Sequence, residues 1–522
     1  MIRWLRLHAT SLCLISLLIL GAYLRLYKIS EYMTFLGDEG RDMLVIKHMI
    51  VDHKFTLLGP TASVGGFFLG PIYYYFMLPF VWAWHMDPSG AAVMVALFGI
   101  ATIYLMYKLG TVMFDQWVGI IAASIYTVSP VVIAYSRSSW NPNLVPFFST
   151  LLMYLMWDTI VKKKPTNLFW IGVILGIGLQ LHYLFLFLFP VVGMWFILFG
   201  REKKWLKYYM IGIGGFVVGY GPFLAFELRH GFPNTLSIIR FLSTGQDTGF
   251  VFSKFLSTVS DVSYRLFGRL LLRLPQPEVM INVSSQFKLF WDVSIKFLLW
   301  ASLGLLAMYM SGNVLPFSNE STQKERNIHK LSAVLMSLWF LIPLFLFGLY
   351  KKGIYDYYFG LFFAVPFLLT ALLIRALSFQ RVGLILSCAA FGYMMYFNWL
   401  GRPFLVPPNN QLAQARRIAQ AALDKTDGKP FNFALLANFN SDHAYRYFFE
   451  IWGHAPVAIE REEVDPKRTT VTDQLIVICD QPECKPLGHP LWEIAGFGRA
   501  EITGEWPVSF VRVQRLVHYQ GK

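Results

Sequence analysis

Charge is scarce in this chain. Of 522 residues only 15% are Asp, Glu, Lys or Arg, against 56% hydrophobic residues, and the mean hydropathy is +0.49. Soluble domains carry about a quarter charged residues, so a soluble globular protein is excluded. Acidic residues are the scarcer sign, 31 against 45 Lys and Arg, for a formal charge of +14. In a soluble chain that excess would suggest nucleic acid. Here there is no Arg-rich stripe with interleaved aromatics, and the bases sit largely in short loops between apolar segments. They read as topology signals facing anionic lipid, and no nucleic-acid partner is expected. No Walker or Rossmann glycine pattern stands out, which argues against a nucleotide. Cysteine is rare, with four. Cys13 and Cys388 lie in apolar segments and read as packing residues. Cys479 and Cys484, in CDQPEC, could form a disulfide outside the cytosol, and nothing around them has metal-ligand spacing.

What is abundant is apolar and aromatic: 47 Phe, 26 Tyr and 16 Trp. A bilayer crossing needs about 20 residues of helix. Candidate spans fall at 9–27, 90–108, 118–135, 144–160, 168–181, 184–199, 208–228, 291–311, 330–349, 357–375 and 382–398. The first is preceded by Arg3, Arg6 and His8 but no small-residue cleavage site follows, so it reads as a retained helix rather than a signal peptide. The loops 161–167, 201–207, 323–330 and 377–381 are basic and belong in the cytoplasm. Alternation then agrees with a basic cytoplasmic N-terminus only if 67–84 does not cross. Gly65, Gly66, Gly70, Pro71 and Pro79 break that stretch, and Tyr73–Tyr75 favour the headgroup level. The expectation is a mainly α, polytopic membrane protein with about eleven spans plus juxtamembrane helices, multi-pass in the cell membrane.

Residues 402–522 change character. The run 409–425 is polar and helix-patterned, 431–439 and 473–480 read as strands, 441–453 as a helix opened by Ser441, and 505–516 as a last strand. A small α/β domain at 402–522, on the extracytoplasmic side, should follow a membrane domain at 1–401.

Four polar features then share the outer face: the Asp38-Glu39 loop, Arg137–Asn143, the long stretch 229–290, and YKKGIYDYYF at 350–359. A lone acid on a loop is usually a solvated charge. Here Gly37 and Gly40 bracket the pair, so a tight bend could present both carboxylates, and mutual repulsion should raise one pKa toward the range of a general base. Arg41 and Asp42 continue the polarity. Arg137 reads either as a snorkelling arginine or as a rigid fork for phosphate, with Asn141 and Asn143 as neutral ligands nearby. Lys351 and Lys352 run against the positive-inside bias, which a lipid-borne phosphate would justify. Asp356, amid Tyr355, Tyr357 and Tyr358, could instead pair with a lysine. His182 lies at another outer hairpin, where packing is the commoner role. Two adjacent acids could hold a divalent metal, although the neutral Asn141 argues against a demanding site. No cofactor is required.

These residues resemble those of the GT-C membrane glycosyltransferases, in the protein O-mannosyltransferase and lipid A aminoarabinose transferase branch. Asp38-Glu39 matches the acidic pair after the first helix. LGPIYYYFMLPF is similar to the juxtamembrane helix, Ser136-Arg137 to a Ser-Arg pair, and KKGIYDYYF to a later lysine and tyrosine motif. Asn141-Pro142 stands where an Asp-Pro would fall, and Gly70 where basic or polar residues are frequent. Over roughly 1–400, the resemblance implies inverting transfer from a polyprenyl-phosphate sugar to an acceptor hydroxyl. Asp38 would be the base and Glu39 would position acceptor or base. Arg137 with Lys351 or Lys352 would hold the leaving phosphate. Arg41, Asn141, Asn143, His182, Asp356, Tyr357 and Tyr358 would line the substrate site. The implied partners are the lipid-linked sugar, membrane lipid and an acceptor of unspecified class. A transporter or flippase would place charges at mid-membrane instead; a non-catalytic glycolipid-binding relative is the other alternative.

Overall fold

In the computed structural model, residues 2–244, 248–312, 322–438, 440–481 and 483–521 are described. The side chains of Arg3, Arg6 and His8 lie outside that description. The chain is mainly helical and carries one small sheet near its C-terminus. Every predicted span is helical. Seven described helices are long and apolar enough to cross a bilayer, and the bent pair Asp356–Phe362 and Ala364–Leu377 would make an eighth. The segments predicted at 118–135, 168–181 and 184–199 form shorter helices for local reasons. Pro130 forces Ser129 into an extended conformation, so the first of these ends at Val128 and restarts at Pro130. An extended His182 separates Asn167–Leu181 from the apolar helical stretch Tyr183–Phe199. In the stretch 67–84 only Ile72–Ala83 is helical. Its 12 residues rise about 18 Å, against about 30 Å of hydrocarbon.

Two compact units divide the chain, each discontinuous in sequence. One comprises Met1–Tyr27, Thr56–Phe76 and Val93–Pro407; the other Lys28–Phe55, Met77–Ala92 and Pro408–Lys522. The first is the helical membrane part. Its helices Asn167–Leu181 and Leu206–His230 run together through glycines: a Cβ at Gly172 would strike the Gly212 carbonyl, and one at Gly219 the Val173 carbonyl. Small residues allow such backbone approach where apolar lipid offers no hydrophobic drive. Arg25 lies near the end of the first helix. It is fully buried and donates to the carbonyls of Gly21 and Thr127, both at 3.3 Å.

The second unit holds the sheet, with strands β1 (Asn432–Ala437), β2 (Gln474–Asp480), β3 (Ala500–Val508) and β4 (Val511–His518) in the order β1-β2-β4-β3. β1 and β2 are parallel, and the other pairings antiparallel. The predicted single strand 505–516 is thus a hairpin; Ser509 takes the left-handed conformation that lets the chain reverse. Leu436, Leu475, Val477 and Leu516 form a core, while Phe433 packs on Phe449 at 5.0 Å. Cys479 and Cys484 are disulfide-bonded. The helix predicted from Ser441 begins at His443 and runs to Ile451.

The stretch carrying Asp38 is also helical, from Gly37 to Ile50, not a glycine-bracketed tight turn. Its glycines serve packing. A Cβ at Gly37 would collide with Ser441 and one at Gly40 with the backbone of His443 and Ala444. Without side chains between them, Gly37–Ile50 and His443–Ile451 pack closely. Phe35 (1% exposed) is buried there against Tyr447 and Phe448, worth about 1.5–3 kcal/mol. At the far end Lys47 pairs with Glu450 at 3.4 Å. Gly40→Ala should therefore cost about 1–3 kcal/mol by overpacking against backbone that cannot yield. Gly392→Ala, where an added Cβ meets nothing, should be tolerated. Thermal unfolding of both variants checks this, and equal melting temperatures would contradict the close approach.

Candidate functional site

The candidate residues fall in both units, and each set is built by its own local chemistry. In the second unit, Asp38 and Glu39 occupy the first turn of the Gly37–Ile50 helix. The first four N–H groups of any helix lack internal partners. The residue ahead, Leu36, has no side-chain acceptor to supply one. Glu39 reaches back instead and accepts from the Leu36 N–H at 2.9 Å. The Gly37 N–H donates to Asn440 Oδ1, also at 2.9 Å. Glu39 is buried (7% exposed). Burial pushes its pKa up to about 7; the Leu36 hydrogen bond opposes this, and the charges of Asp42 and Asp38 add less. The sequence reading attributes a raised pKa to repulsion within the pair, but desolvation is the larger cause.

Asp38 is the exposed acid, its side chain 58% accessible, with Arg41 Nη1 at 2.8 Å. Arg41 also grips Asp42 through Nε at 3.0 Å and Nη2 at 2.9 Å, and Asp42 is wholly buried. The guanidinium is therefore fixed from below and meets Asp38 from above. On the facing helix, His443 Nδ1 lies 2.7 Å from Ser441 Oγ. Burial holds the imidazole pKa below its usual value, and Asp442, Arg41, Arg446 and Asp38 are the charges acting on it.

In the first unit, Arg137 is buried, with Nη1 donating to Leu24 O at 2.8 Å and Nη2 to Tyr27 O at 2.7 Å. It thus satisfies carbonyls at the end of the first helix, a usual place for a cation. Asn141 Nδ2 donates to Leu181 O at 2.6 Å, and Asn143 Nδ2 to Ser138 O at 2.9 Å. Next to Leu181, His182 stacks on Tyr183 at 4.7 Å and lies 5.3 Å from the Tyr358 ring and 6.0 Å from Tyr357. Tyr357 in turn packs on Trp140 at 4.4 Å. Asn141, His182, Tyr357 and Tyr358, remote in sequence, therefore come together. The Tyr183 hydroxyl lies 3.4 Å and 3.5 Å from those of Tyr350 and Tyr358. Beside them is an apolar cavity of about 320 Å³ bounded by Phe67, Tyr183, Phe187, Phe241 and Tyr350. Gly70 sits against the Gln180 side chain, which would have to shift to admit a Cβ.

Asp356 does not take a lysine partner. It pairs with Arg265, at 2.5 Å, and with Arg269, at 3.1 Å. These arginines of the Phe252–Leu272 helix lay inside a stretch read only as polar. Asp261, Arg265 and Arg269 at four-residue steps were the available signal. Lys351 lies near Gly249, its Nζ 3.4 Å from where a Cβ would stand; Lys352 is exposed. Asn440 and His443 carried no signal of their own. Among the described residues no group of three or more His, Cys, Asp and Glu is placed to hold a metal ion.

The native carboxyl of Glu39 keeps its proton to about pH 7, against an ordinary 4.5. The folded state thus binds more protons than the unfolded one across that window, and stability falls as pH rises through it. The expected loss is on the order of 3 kcal/mol. Glu39→Gln should flatten that decline. Thermal unfolding between roughly pH 5 and 8 checks it, and parallel profiles for parent and variant would contradict it.

Residues 70–223 match the family model described as dolichyl-phosphate-mannose-protein mannosyltransferase. That segment contains Arg137, Asn141, Asn143 and His182, and it starts after Asp38. A comparison with curated proteins finds no match. Among solved structures, ArnT from Cupriavidus metallidurans bound to undecaprenyl phosphate is similar at 12% identity, covering 97% of this chain and 98% of its own, with a TM-score of 0.49. The oligosaccharyltransferase AglB from Archaeoglobus fulgidus, in complex with an inhibitory peptide and a dolichol-phosphate, is similar at 12% identity, over 91% and 70%, with a TM-score of 0.47. The mycobacterial arabinofuranosyltransferase AftD, as its R1389S mutant, is similar at 11% identity over 98% and 41%, with a TM-score of 0.45. Over residues 70–223 the chain is similar to the dolichyl-phosphate-mannose-protein mannosyltransferases.

Proposed function

We propose that the protein is an inverting glycosyltransferase that moves a sugar from a polyprenyl-phosphate donor to an acceptor hydroxyl at the extracytoplasmic face of the cell membrane. The match of residues 70–223 to the mannosyltransferase model carries this reading. The accessible Asp38 carboxylate suits a base. It takes the acceptor's proton as the hydroxyl oxygen attacks the anomeric carbon. The bond from that carbon to the phosphate oxygen breaks, and the polyprenyl phosphate leaves with the electron pair. Lys351 and Lys352 are assigned to the developing phosphate charge, and Asn141, His182, Tyr357 and Tyr358 to the sugar and its surroundings. Arg137 is assigned to holding the end of the first helix, since both its terminal nitrogens are engaged by carbonyls. The apolar cavity beside Tyr183 and Tyr350 suits a prenyl segment. The Cys479–Cys484 disulfide fits an oxidising compartment for the C-terminal domain.

Purified protein should transfer sugar from one member of a panel of polyprenyl-phosphate sugars. Asp38→Asn should cut that transfer by about a thousandfold or more while the protein stays folded. Transfer from no donor would overturn the enzymatic reading; undiminished transfer by the variant would overturn the base. For orientation, His85→Cys should react with a membrane-impermeant thiol reagent in intact cells and Thr166→Cys should not, in a background lacking the exposed Cys13 and Cys388. Labelling of both or neither would overturn the topology.

A further inference from the structure

We infer that the C-terminal domain belongs to the catalytic apparatus: Asn440 is a positioning residue that completes, from a distant segment, the helix turn presenting Asp38. This rests on the reading of Asp38 as the base.

The Gly37–Ile50 helix caps itself only at the Leu36 N–H, through Glu39. Its N-cap residue is Leu36, which makes no side-chain cap bond, whereas self-capping helices place Ser, Thr, Asp or Asn there. The missing acceptor arrives from 403 residues away. Asn440 Oδ1 receives the Gly37 N–H at 2.9 Å and the Ser441 N–H at the same distance. One carbonyl thus ties the first residue of one helix to the lead-in of the other. The glycines reinforce it, since Gly37 closes on Ser441 and Gly40 on His443 and Ala444. Asp38 lies one residue beyond the capped N–H. Its other restraint is the ion pair to Arg41, a side chain of the same helix, which moves with it. Fraying of the first turn would therefore shift acid and arginine together; the Asn440 bond and the glycine contacts oppose that, beside the Glu39 bond to the Leu36 N–H and the buried Asp42 that holds Arg41. A displacement of about 1 Å can cost on the order of a hundredfold in rate.

Three full-length variants test this. Asn440→Ala removes the acceptor. Asn440→Asp retains it. Glu450→Gln weakens the same helix pair at its far end, where Glu450 meets Lys47 and His48, and touches nothing near Asp38. Amide exchange of the peptide containing Gly37 should speed up in Asn440→Ala and in neither other variant. With the donor that supports transfer, Asn440→Ala should lower kcat about tenfold or more with donor KM unchanged, and Asn440→Asp should recover most of it. Unchanged exchange in Asn440→Ala would overturn the cap. Faster exchange with kcat intact would overturn its role in presenting Asp38, as would an equal kcat loss in Glu450→Gln. If the parent transfers nothing, the enzymatic reading fails, and the exchange result alone decides whether Asn440 holds the turn.

Discussion

A helix crossing with no side chains in it governs the second unit. Gly37 and Gly40 let one backbone lie against the start of another. Glu39 is buried, so a carboxyl that would be acidic on a loop has its pKa pushed up to about 7. Asp38, one residue earlier, stays in solvent. Two neighbouring acids thereby acquire opposite environments from helical geometry alone: successive residues point about a hundred degrees apart around the axis.

In the helical unit the rule is different. Apolar helices in lipid gain little from hiding from water, so polar groups decide where they meet. Arg25 and Arg137 both spend guanidinium donors on main-chain carbonyls. Asn141 does the same with its amide. One buried acid of this unit, Asp356, is neutralised by two arginines. Such pairs are costly to break once buried, which suits a scaffold that must keep its aromatic cluster around His182 in one arrangement.

The helical membrane character, the position of every apolar segment and the α/β character of the C-terminal region were legible in the sequence, because hydrophobic runs and alternation are local signals. Helix ends were less legible in one place: Pro130 divided the segment 118–135 that hydropathy alone joins, whereas the break at His182 fell between two segments already read as separate. The 505–516 run looked like one strand because the reversing residue, Ser509, is neither Gly nor Asn. At the candidate site, the residue types were visible but their partners were not. Gly37 and Gly40 invited a turn, and what they allow is close packing against residues some four hundred positions later. Arg265 and Arg269 stood at regular spacing, yet nothing local tied them to Asp356. Contacts between distant segments leave no mark on a single sequence.

The cap on Gly37 has a consequence in time. A ribosome delivers the first helix and the acidic pair long before it reaches Asn440, 403 residues on. Until then the Gly37–Ile50 turn has no acceptor for its leading amide and no partner helix to close upon. The nascent chain can pass through that interval with the Asp38 turn still unsecured, and synthesis of the last quarter of the polypeptide becomes the step that fixes it.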